Sequence, residues 1–352
     1  MDMNRKDEII RLQNDLMQDM LRRQFKSITD DLWGKMPQDT PEKTGAGAAS
    51  GAIRKTAVEA EQPAQENEPA EAPEKLEDLL AELNGYIGLD TVKAEVNSLV
   101  NWIQVCKARG ESGLPTPALS LHMVFSGNPG TGKTMIARLM ARIYKTLGVL
   151  SKGQLVEVDR SGLVAVYVGQ TAGKTREVIE KALGGVLFID EAYALVGKGE
   201  NDYGQEAVDT LLKAMEDNRD DLVVIVAGYT ELMTGFVHSN PGLESRFNRF
   251  IHFPDYTVDE MLAIFRMRCE KSGYALDDGA QDALRDILTR KSADVRGFGN
   301  ARGVRNLFET AIARQADRLA AEKGALDRER LMRITREDLR KASGVAEDGD
   351  TE

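Results

Sequence analysis

The sequence predicts an α/β fold, with a parallel sheet sandwiched by helices, followed by a small all-helical domain. Three continuous apolar runs at 122–125, 185–190 and 222–228 predict the strands. Continuous rather than alternating apolar runs are typical of parallel strands that are buried on both faces. Helical stripes of apolar residues separate these runs, so strands alternate with helices. Only helical stripes follow Pro254, which predicts that no strand lies beyond it.

Composition and charge limit the class of protein. The chain has 352 residues, a length that suggests roughly two folded domains. Its formal net charge of -11 argues against nucleic acid or an anionic membrane surface as the main partner, because both require a basic face. Cys106 and Cys269 have no metal-binding or redox spacing, which fits a reducing compartment. No apolar run is long enough to span a membrane, so we expect a cytoplasmic protein without a membrane partner.

Two segments precede the predicted sheet. Residues 1–33 carry an amphipathic helical stripe formed by Ile10, Met17, Leu21, Ile28 and Leu32. This helix either docks on its own body or on another copy of the chain, or it binds a dedicated partner. Residues 34–74 are rich in Pro, Ala, Gly and Glu, so they cannot bury enough apolar surface to offset the entropy of ordering. They predict a disordered acidic tether.

The rest of the chain divides into two domains and a tail. The α/β domain is predicted at 75–256, the helical domain at 257–343 and a disordered tail at 344–352. Thr257 and Glu260 have the spacing of a capping box, which starts the helical domain. The predicted helices carry stripes of apolar residues: Val92, Val96, Leu99, Val100 and Ile103; Ile136, Leu139, Met140 and Ile143; Leu284, Ile287 and Leu288; Val304, Leu307, Phe308 and Ile312.

The stretch "GNPGTGKT", from Gly127 to Thr134, follows the first apolar run and matches G-x-x-x-x-G-K-[ST]. Such a loop wraps a phosphate with backbone N–H groups at a helix N-terminus. In this pattern Lys133 reaches the β- and γ-phosphates, and the Thr134 hydroxyl binds Mg²⁺. The residues predicted to contact the nucleotide are Asn128, Pro129, Gly130, Thr131, Gly132, Lys133 and Thr134.

Two carboxylates follow the second apolar run, in "GVLFIDEA". Asp190 and Glu191 would lie at the carboxyl edge of the sheet, where open α/β sheets bind their ligands. Asp190 suits the outer shell of the Mg²⁺ ion, and Glu191 suits the orientation of an attacking water. The sequence therefore predicts one complete site for hydrolysis of a nucleoside triphosphate.

A second stretch, "YVGQTAGKT", imitates the phosphate-binding loop but does not have its spacing. Five residues before Gly173 stands Val168, and the nearest glycine is Gly169, one position too late. Apolar residues from Thr171 to Leu183 predict a helix that contains Lys174. We therefore expect Lys174 to be a helical side chain and not a phosphate ligand.

Five motifs in order, "GNPGTGKT", "GVLFIDEAYAL", "VVIVAGY", "NPGLESRF" and "GNARGVRNLFE", resemble those of the AAA+ ATPases. More narrowly, the chain is similar to the group that contains the red-type Rubisco activase and stage V sporulation protein K. The resemblance covers roughly residues 80–345. It implies ATP and Mg²⁺ as cofactors, a helical lid domain, and a ring of identical subunits, a hexamer.

The resemblance also implies roles for arginines. In "GLESRF", Arg246 matches the arginine finger that enters the ATP site of a neighbouring subunit, with Arg249 as the alternative. In "GNAR", Arg302 matches the sensor-2 arginine, which contacts the nucleotide and carries the response of the lid. Arg305 is the alternative at this position.

Two further positions come from the family pattern. In "YIGL", Ile87 and Gly88 match the segment that packs on adenine. The strand "VVIVAGY" departs from the general pattern, because an Asn that helps to place the lytic water is missing. Tyr229 and Thr230 stand there, and the identity of the sensor-1 residue stays open between them.

The stretch "AVYVGQ" lies between the two nucleotide motifs, where AAA+ rings place a loop that faces the central channel. Tyr167, Val168 and Gly169 have the aromatic–aliphatic–glycine form of that loop. An aromatic ring grips an extended chain through apolar contact with little sequence preference. The alternative for Tyr167 is a core aromatic, and residues 197–204 are a weaker candidate for a second channel loop.

These features predict an ATP-dependent, protein-remodelling ATPase that pulls on a protein client through pore loops. One alternative is a nucleic-acid-directed motor or loader of the same family, which the acidic charge disfavours. Another is a nucleotide-gated scaffold, which the complete set of Lys133, Asp190 and Glu191 disfavours. The sequence does not identify the client.

Overall fold

The computed structural model describes residues 74–116, 120–197, 203–322 and 327–344. The predicted N-terminal helix, nearly all of the tether and all but the first residue of the tail lie outside these residues. In the described part of the chain, no helix is both long and apolar enough to cross a membrane.

A five-stranded sheet in the order β2-β3-β4-β1-β5 forms the centre of the first domain. All its strand pairs are parallel, which confirms the predicted α/β class. The strands are β1 Met123–Ser126, β2 Leu155–Val158, β3 Val186–Ile189, β4 Val223–Gly228 and β5 Arg249–His252.

The three central strands, β1, β3 and β4, correspond to the three predicted apolar runs and are buried along their whole length. The two edge strands were not predicted. Glu157 interrupts β2, and Arg249 and His252 leave only two apolar residues in β5, so neither strand forms a continuous apolar run. An edge strand needs less burial than a central one, and a search for continuous apolar runs therefore misses it.

Helices cover both faces of this sheet. Alternate side chains of β1 enter different cores, Phe125 on one face and Val124 on the other. The first core also holds side chains of the second domain, including Phe265 and Phe308, so the lid packs against the body through one continuous apolar cluster. The helices of the first domain are α1 Leu76–Gly85, α2 Asp90–Glu111, α3 Lys133–Thr146, α4 Arg160–Leu163, α5 Thr171–Ala182, α6 Gly204–Asp217, α7 Thr230–His238 and α8 Pro241–Arg246.

The second domain begins with the predicted capping box, in which the Thr257 hydroxyl and the Glu260 carboxylate bond each other's backbone N–H. Its helices are α9 Val258–Lys271, α10 Asp278–Lys291, α11 Val295–Phe298, α12 Asn300–Ala321, α13 Arg328–Met332 and α14 Arg336–Ser343. The expectation that no strand follows Pro254 is wrong, because β6 Ala275–Leu276 pairs in parallel with β7 Arg333–Ile334. Two residues are too few to show a strand period, so this small sheet leaves no sequence pattern.

Candidate nucleotide-binding site

The loop between β1 and α3 curves tightly around its own backbone. Gly130 and Gly132 have φ values of 72° and 97°, a region that glycine enters without steric cost. A Cβ atom at Gly130 would lie 2.2 Å from the carbonyl oxygen of Gly299 in the lid. Glycine is therefore required at Gly130 both for the backbone conformation and for the close approach of the lid.

Lys133, the first residue of α3, points back into the curve of this loop. Its ammonium group donates to the carbonyl oxygens of Gly127, at 2.9 Å, and Asn128, at 2.8 Å. Burial lowers the pKa of Lys133, and the charge of Asp190 opposes this shift. The buried Thr131 hydroxyl also donates to the carbonyl of Asn128, at 2.8 Å. These contacts place the lysine charge at the centre of the loop, where a bound phosphate would lie.

Asp190 and Glu191 lie at the carboxyl end of β3, beside the loop. The N–H of Asp190 still donates to Val158 on the neighbouring strand, at 2.8 Å. Glu191 has left the strand and adopts a φ of 49°, with its N–H donating to the Asp190 carboxylate at 3.0 Å. This turn leaves the Glu191 side chain exposed at the sheet edge.

One cavity of about 380 Å³ brings most of these residues together. The predicted site residues that line it are Pro129, Gly130, Gly132, Lys133, Thr134, Asp190, Glu191 and Arg302. Of the two sensor-1 candidates, Tyr229 lines the cavity, whereas Thr230 begins α7 with an exposed side chain.

Two side chains at or near this site, Glu157 and Arg268, escaped the sequence analysis. Burial raises the pKa of Glu157 on β2, and the Arg138 guanidinium, 3.9 Å away, and the Thr134 hydroxyl oppose this rise. Arg268, from the first lid helix, lines the cavity together with Arg302 and Arg305, the two arginines that the sequence offers for sensor 2. A polar residue between two apolar ones in "VEV" was the only sequence signal for Glu157, and it depended on recognising an edge strand.

The lid joins the phosphate-binding loop through three polar side chains, Asn128, Asp255 and Asn300, here called the lid junction. The amide nitrogen of Asn128 donates to both carboxylate oxygens of Asp255, at 2.9 Å each. The amide nitrogen of Asn300 donates to the Asp255 carboxylate at 2.9 Å and to the Pro129 carbonyl at 3.3 Å. The Asn300 amide oxygen accepts the Tyr256 N–H at 3.0 Å. The loop, the interdomain connection and the first turn of α12 therefore share one network.

The predicted adenine segment lies next to the loop but does not line this cavity. A Cβ atom at Gly88 would lie 2.2 Å from the Glu260 carboxylate and 3.3 Å from the Tyr256 ring. Ile87 is partly buried against the core that the body and lid share. The segment thus lies where the first lid helix meets the body.

Arg246, the predicted arginine finger, lies away from the cavity of its own subunit. It forms an ion pair with Glu216 on α6, at 3.2 Å. Its buried Nε atom has no hydrogen-bond partner within the described residues. The alternative, Arg249, places its guanidinium carbon 4.7 Å from the centre of the Trp102 ring.

The Tyr167 loop projects from the body on an anchored base. Tyr167 and Val168 are 70% and 75% exposed, which excludes the alternative of a core aromatic. At the base, the ammonium group of Lys174 donates to the carbonyls of Ser161, at 2.6 Å, and Val164, at 3.1 Å. Lys174 is thus a helical side chain in α5, as predicted, and "TAGKT" holds loop backbone rather than phosphate.

Thr171 and Thr175 complete this anchor. The Thr171 hydroxyl accepts the Ala165 N–H at 3.2 Å, and the Thr175 hydroxyl donates to the Leu163 carbonyl at 3.1 Å. Both threonines are fully buried. Most of the other candidate channel loop, residues 198–202, lies outside the described residues.

Comparisons with known proteins agree with this architecture. Residues 123–255 match the family model "ATPase family associated with various cellular activities (AAA)", and residues 257–349 match the AAA lid domain. Stage V sporulation protein K of Bacillus subtilis is 42% identical over 77% of this chain and 85% of its own length. Protein CbbX of Cereibacter sphaeroides is 46% identical over 81% of this chain and 91% of its own.

A third relative is the chloroplastic ribulose bisphosphate carboxylase/oxygenase activase of Cyanidioschyzon merolae. It is 44% identical over 76% of this chain and 91% of its own length. With two family models matched in order and three relatives above 40% identity, the chain belongs to the AAA+ ATPases, in the group of stage V sporulation protein K and CbbX.

Proposed function

We propose that this ATPase is Mg²⁺-dependent, assembles as a ring of identical subunits, a hexamer, and remodels a protein client by pulling on it through pore loops. The observation that carries the proposal is the exposed Tyr167 on an anchored loop, in a chain whose predicted ATP-site residues line one cavity. A nucleotide-gated scaffold would need no such gripping side chain. We also propose a cytoplasmic location, which the two free cysteines, Cys106 and Cys269, support.

Within the ATP site, the loop N–H groups and Lys133 would hold the phosphates, and Ile87 and Gly88 would contact the adenine. The donor set fits Mg²⁺, because Thr134 and Asp190 offer hard oxygen atoms in the same cavity. Bound Mg²⁺ would neutralise charge on the phosphate oxygens.

Hydrolysis requires a water that attacks the terminal phosphate in line. Glu191 is the carboxylate that would orient this water and accept its proton, and the Tyr229 hydroxyl would help to place it. Arg302 would bind the phosphates from the lid. Arg246 would enter the site of the next subunit, where a guanidinium stabilises the developing charge, an effect worth roughly 10³–10⁵ in rate in related enzymes.

The position of Arg246 supports action in the neighbouring subunit. It does not line the cavity of its own chain, and its exposed partner Glu216 offers only a weak surface ion pair. Assembly into a ring could exchange this pair for contact with a phosphate.

We propose residues 75–256 as the extent of the body and residues 257–343 as the extent of the lid.

The decisive experiment separates grip from hydrolysis, with a carboxymethylated, permanently unfolded protein as the client probe. We expect Tyr167→Ala to keep ATP affinity and basal turnover but to lose binding of the probe to the ATP-loaded ring. Leu331→Ala, which removes another exposed apolar side chain on the lid, is the matched control and should keep probe binding. Loss of nucleotide affinity in Tyr167→Ala, or retained probe binding, would contradict the pore-loop assignment.

The same preparation tests the nucleic-acid alternative. Binding of an oligonucleotide that weakens steeply with salt would indicate a motor for nucleic acid, because phosphate contacts release counterions. We expect no such binding, since the chain carries a formal net charge of -11.

A further inference from the structure

Arg268 lies on α9, the first helix of the lid, and its side chain lines the nucleotide cavity. Met261, Ile264 and Phe265 precede it by seven, four and three residues and are buried, so the arginine stands on the apolar stripe of its helix. An arginine at such a position lowers the stability of the fold unless an anion accompanies it. No role in the ATP site proposed above requires Arg268.

The lining of the cavity is locally cationic although the whole chain is acidic. Four cations line it, Lys133, Arg268, Arg302 and Arg305, against two carboxylates, Asp190 and Glu191, which leaves a formal charge of +2 (4 − 2). Such a lining concentrates anions in the cavity. Three of the four cations belong to the lid, so the lid itself presents a cationic surface to the nucleotide.

Two of these cations have hydrogen-bond partners in the structure, whereas the buried Nε of Arg268 has none among the described residues. Lys133 donates to two loop carbonyls, and the Nε of Arg305 donates to Glu309 at 2.8 Å. Burial lowers the pKa of Arg268, and repulsion by Arg305 lowers it further, more than attraction by Glu309 raises it.

A structural ion pair does not explain this arrangement. The Glu309 carboxylate attracts Arg268, but it already forms an ion pair with the Nε of Arg305, at 2.8 Å. A half-buried guanidinium with a buried, unpaired N–H gains most from an anion with several oxygen atoms, because its fork of donors bonds two of them at once. A phosphate group in the cavity has this chemistry.

We propose that Arg268 is a second lid arginine for the nucleotide, binding the terminal phosphate beside Arg302 and thereby favouring ATP over ADP. The proposal rests on the ATP site described above. Glu191 and Tyr229, the residues proposed to place the attacking water, line the same cavity as Arg268. An anion there would complete the hydrogen bonding of Arg268 and draw α9 toward the phosphate-binding loop.

The test compares the equilibrium affinity of the full chain for ADP and for a slowly hydrolysed ATP analogue, both with Mg²⁺. We expect Arg268→Gln to weaken the ATP analogue by about 10-fold or more and ADP by less than about 3-fold, because a lost bond to a charged group is worth this much. Arg268→Lys should recover only part of the loss. Arg266→Gln, an exposed arginine on the same helix that bonds Gln281 at 2.8 Å, is the matched control and should change neither affinity.

Equal losses for both nucleotides, or no loss, would overturn the proposal. Retained ADP binding shows that a variant is folded; if Arg268→Gln does not fold, arginine modification by phenylglyoxal in the wild-type chain replaces it. The ATP analogue should then protect Arg268 and ADP should not, and equal modification would overturn the proposal. Lys133→Ala tests the proposed ATP site separately. If this variant keeps both affinities, the proposed ATP site is wrong. If it loses both, the ATP site stands, and the result for Arg268→Gln decides only the role of Arg268.

Discussion

Glu191 stands in a conformation that few residues other than glycine adopt. Its φ of 49° lies in the left-handed region, which costs an L-residue about 1–3 kcal/mol. The hydrogen bond from its N–H to the Asp190 carboxylate, at 3.0 Å, offsets part of this cost. Strain of this kind persists when the surroundings hold it, and here it turns the Glu191 carboxylate out of the strand and into the nucleotide cavity.

We therefore predict that Glu191→Gln keeps ATP affinity and lowers turnover by about 10²- to 10⁴-fold, the usual contribution of a general base. Glutamine has the same shape and the same backbone strain, so the change removes only the proton acceptor. Phosphate release measures turnover, and sedimentation with ATP should show a trapped ring. Glu270→Gln, an exposed lid carboxylate, is the control. Turnover at the wild-type rate would reject the role of Glu191.

At this scale, the sequence revealed the residues whose roles are encoded by local spacing. Lys133 and Thr134 follow from one motif, and Asp190 and Glu191 follow from their place after an apolar run. Arg268 reaches the same cavity from α9, and Glu157 on β2 interacts electrostatically with Asp190, so both depend on the sheet order or on the packing of the lid. Spacing along the chain does not encode these tertiary contacts.

Among the elements, the lid junction connects the first turn of α12 to the phosphate-binding loop. Asn300 is fully buried and has a φ of 53°. Its side chain makes three hydrogen bonds, to Pro129, Asp255 and Tyr256. The N–H of the next residue, Ala301, donates to the Gly130 carbonyl at 3.2 Å. A displacement of α12 would therefore pull directly on the loop that holds the phosphates.

Two substitutions separate the side-chain bonds of Asn300 from its backbone strain. Asn300→Gly keeps the left-handed backbone and should lower the free energy of unfolding by about 1–3 kcal/mol, because buried partners lose their bonds. Asn300→Ala should cost about 1 kcal/mol more, since alanine disfavours positive φ. Denaturant unfolding measures both. Asn306→Ala, exposed on the same helix, is the control and should lie within about 0.5 kcal/mol of the wild type. Equal stabilities for the Gly and Ala variants would contradict the strain.

The elements also differ in how well the sequence revealed them. The fully buried strands β1, β3 and β4 were visible as continuous apolar runs, and the long lid helices were visible as stripes. The strands β2 and β5 were missed, because each exposes part of its length at a sheet edge. The Tyr167 loop was placed by its motif, but the threonines and lysine that anchor it became visible only from their contacts.

For the whole molecule, the described contacts leave Arg246 paired with Glu216 of its own chain and outside its own ATP cavity. In a ring built from head-to-tail interfaces, one surface of each subunit meets a different surface of the next. An arginine on the first surface can then complete the ATP site on the second. A ring in which Arg246 acts in this way has sites composed of two subunits.

Mixing two inactive variants tests this arrangement. An Arg246→Ala subunit has an intact Glu191, and a Glu191→Gln subunit has an intact Arg246. If Arg246 acts across the interface, a site with both residues forms wherever an Arg246→Ala subunit receives the finger of a Glu191→Gln neighbour. Random mixing in equal amounts produces such a pair at about one quarter of the sites, so ATP turnover should return toward that fraction of the wild-type rate.

The control mixes Glu191→Gln with Lys133→Ala, two defects that remain within their own sites. No arrangement of these subunits completes a site, so we expect no recovery above the separate variants. Recovery only in the first mixture would support a finger that crosses the interface, because the two preparations differ only in which residue the second subunit lacks. If neither mixture recovers although mixed rings form, Arg246 does not act on the neighbour, and Arg249, which now lies over Trp102, becomes the residue to exchange in the same design.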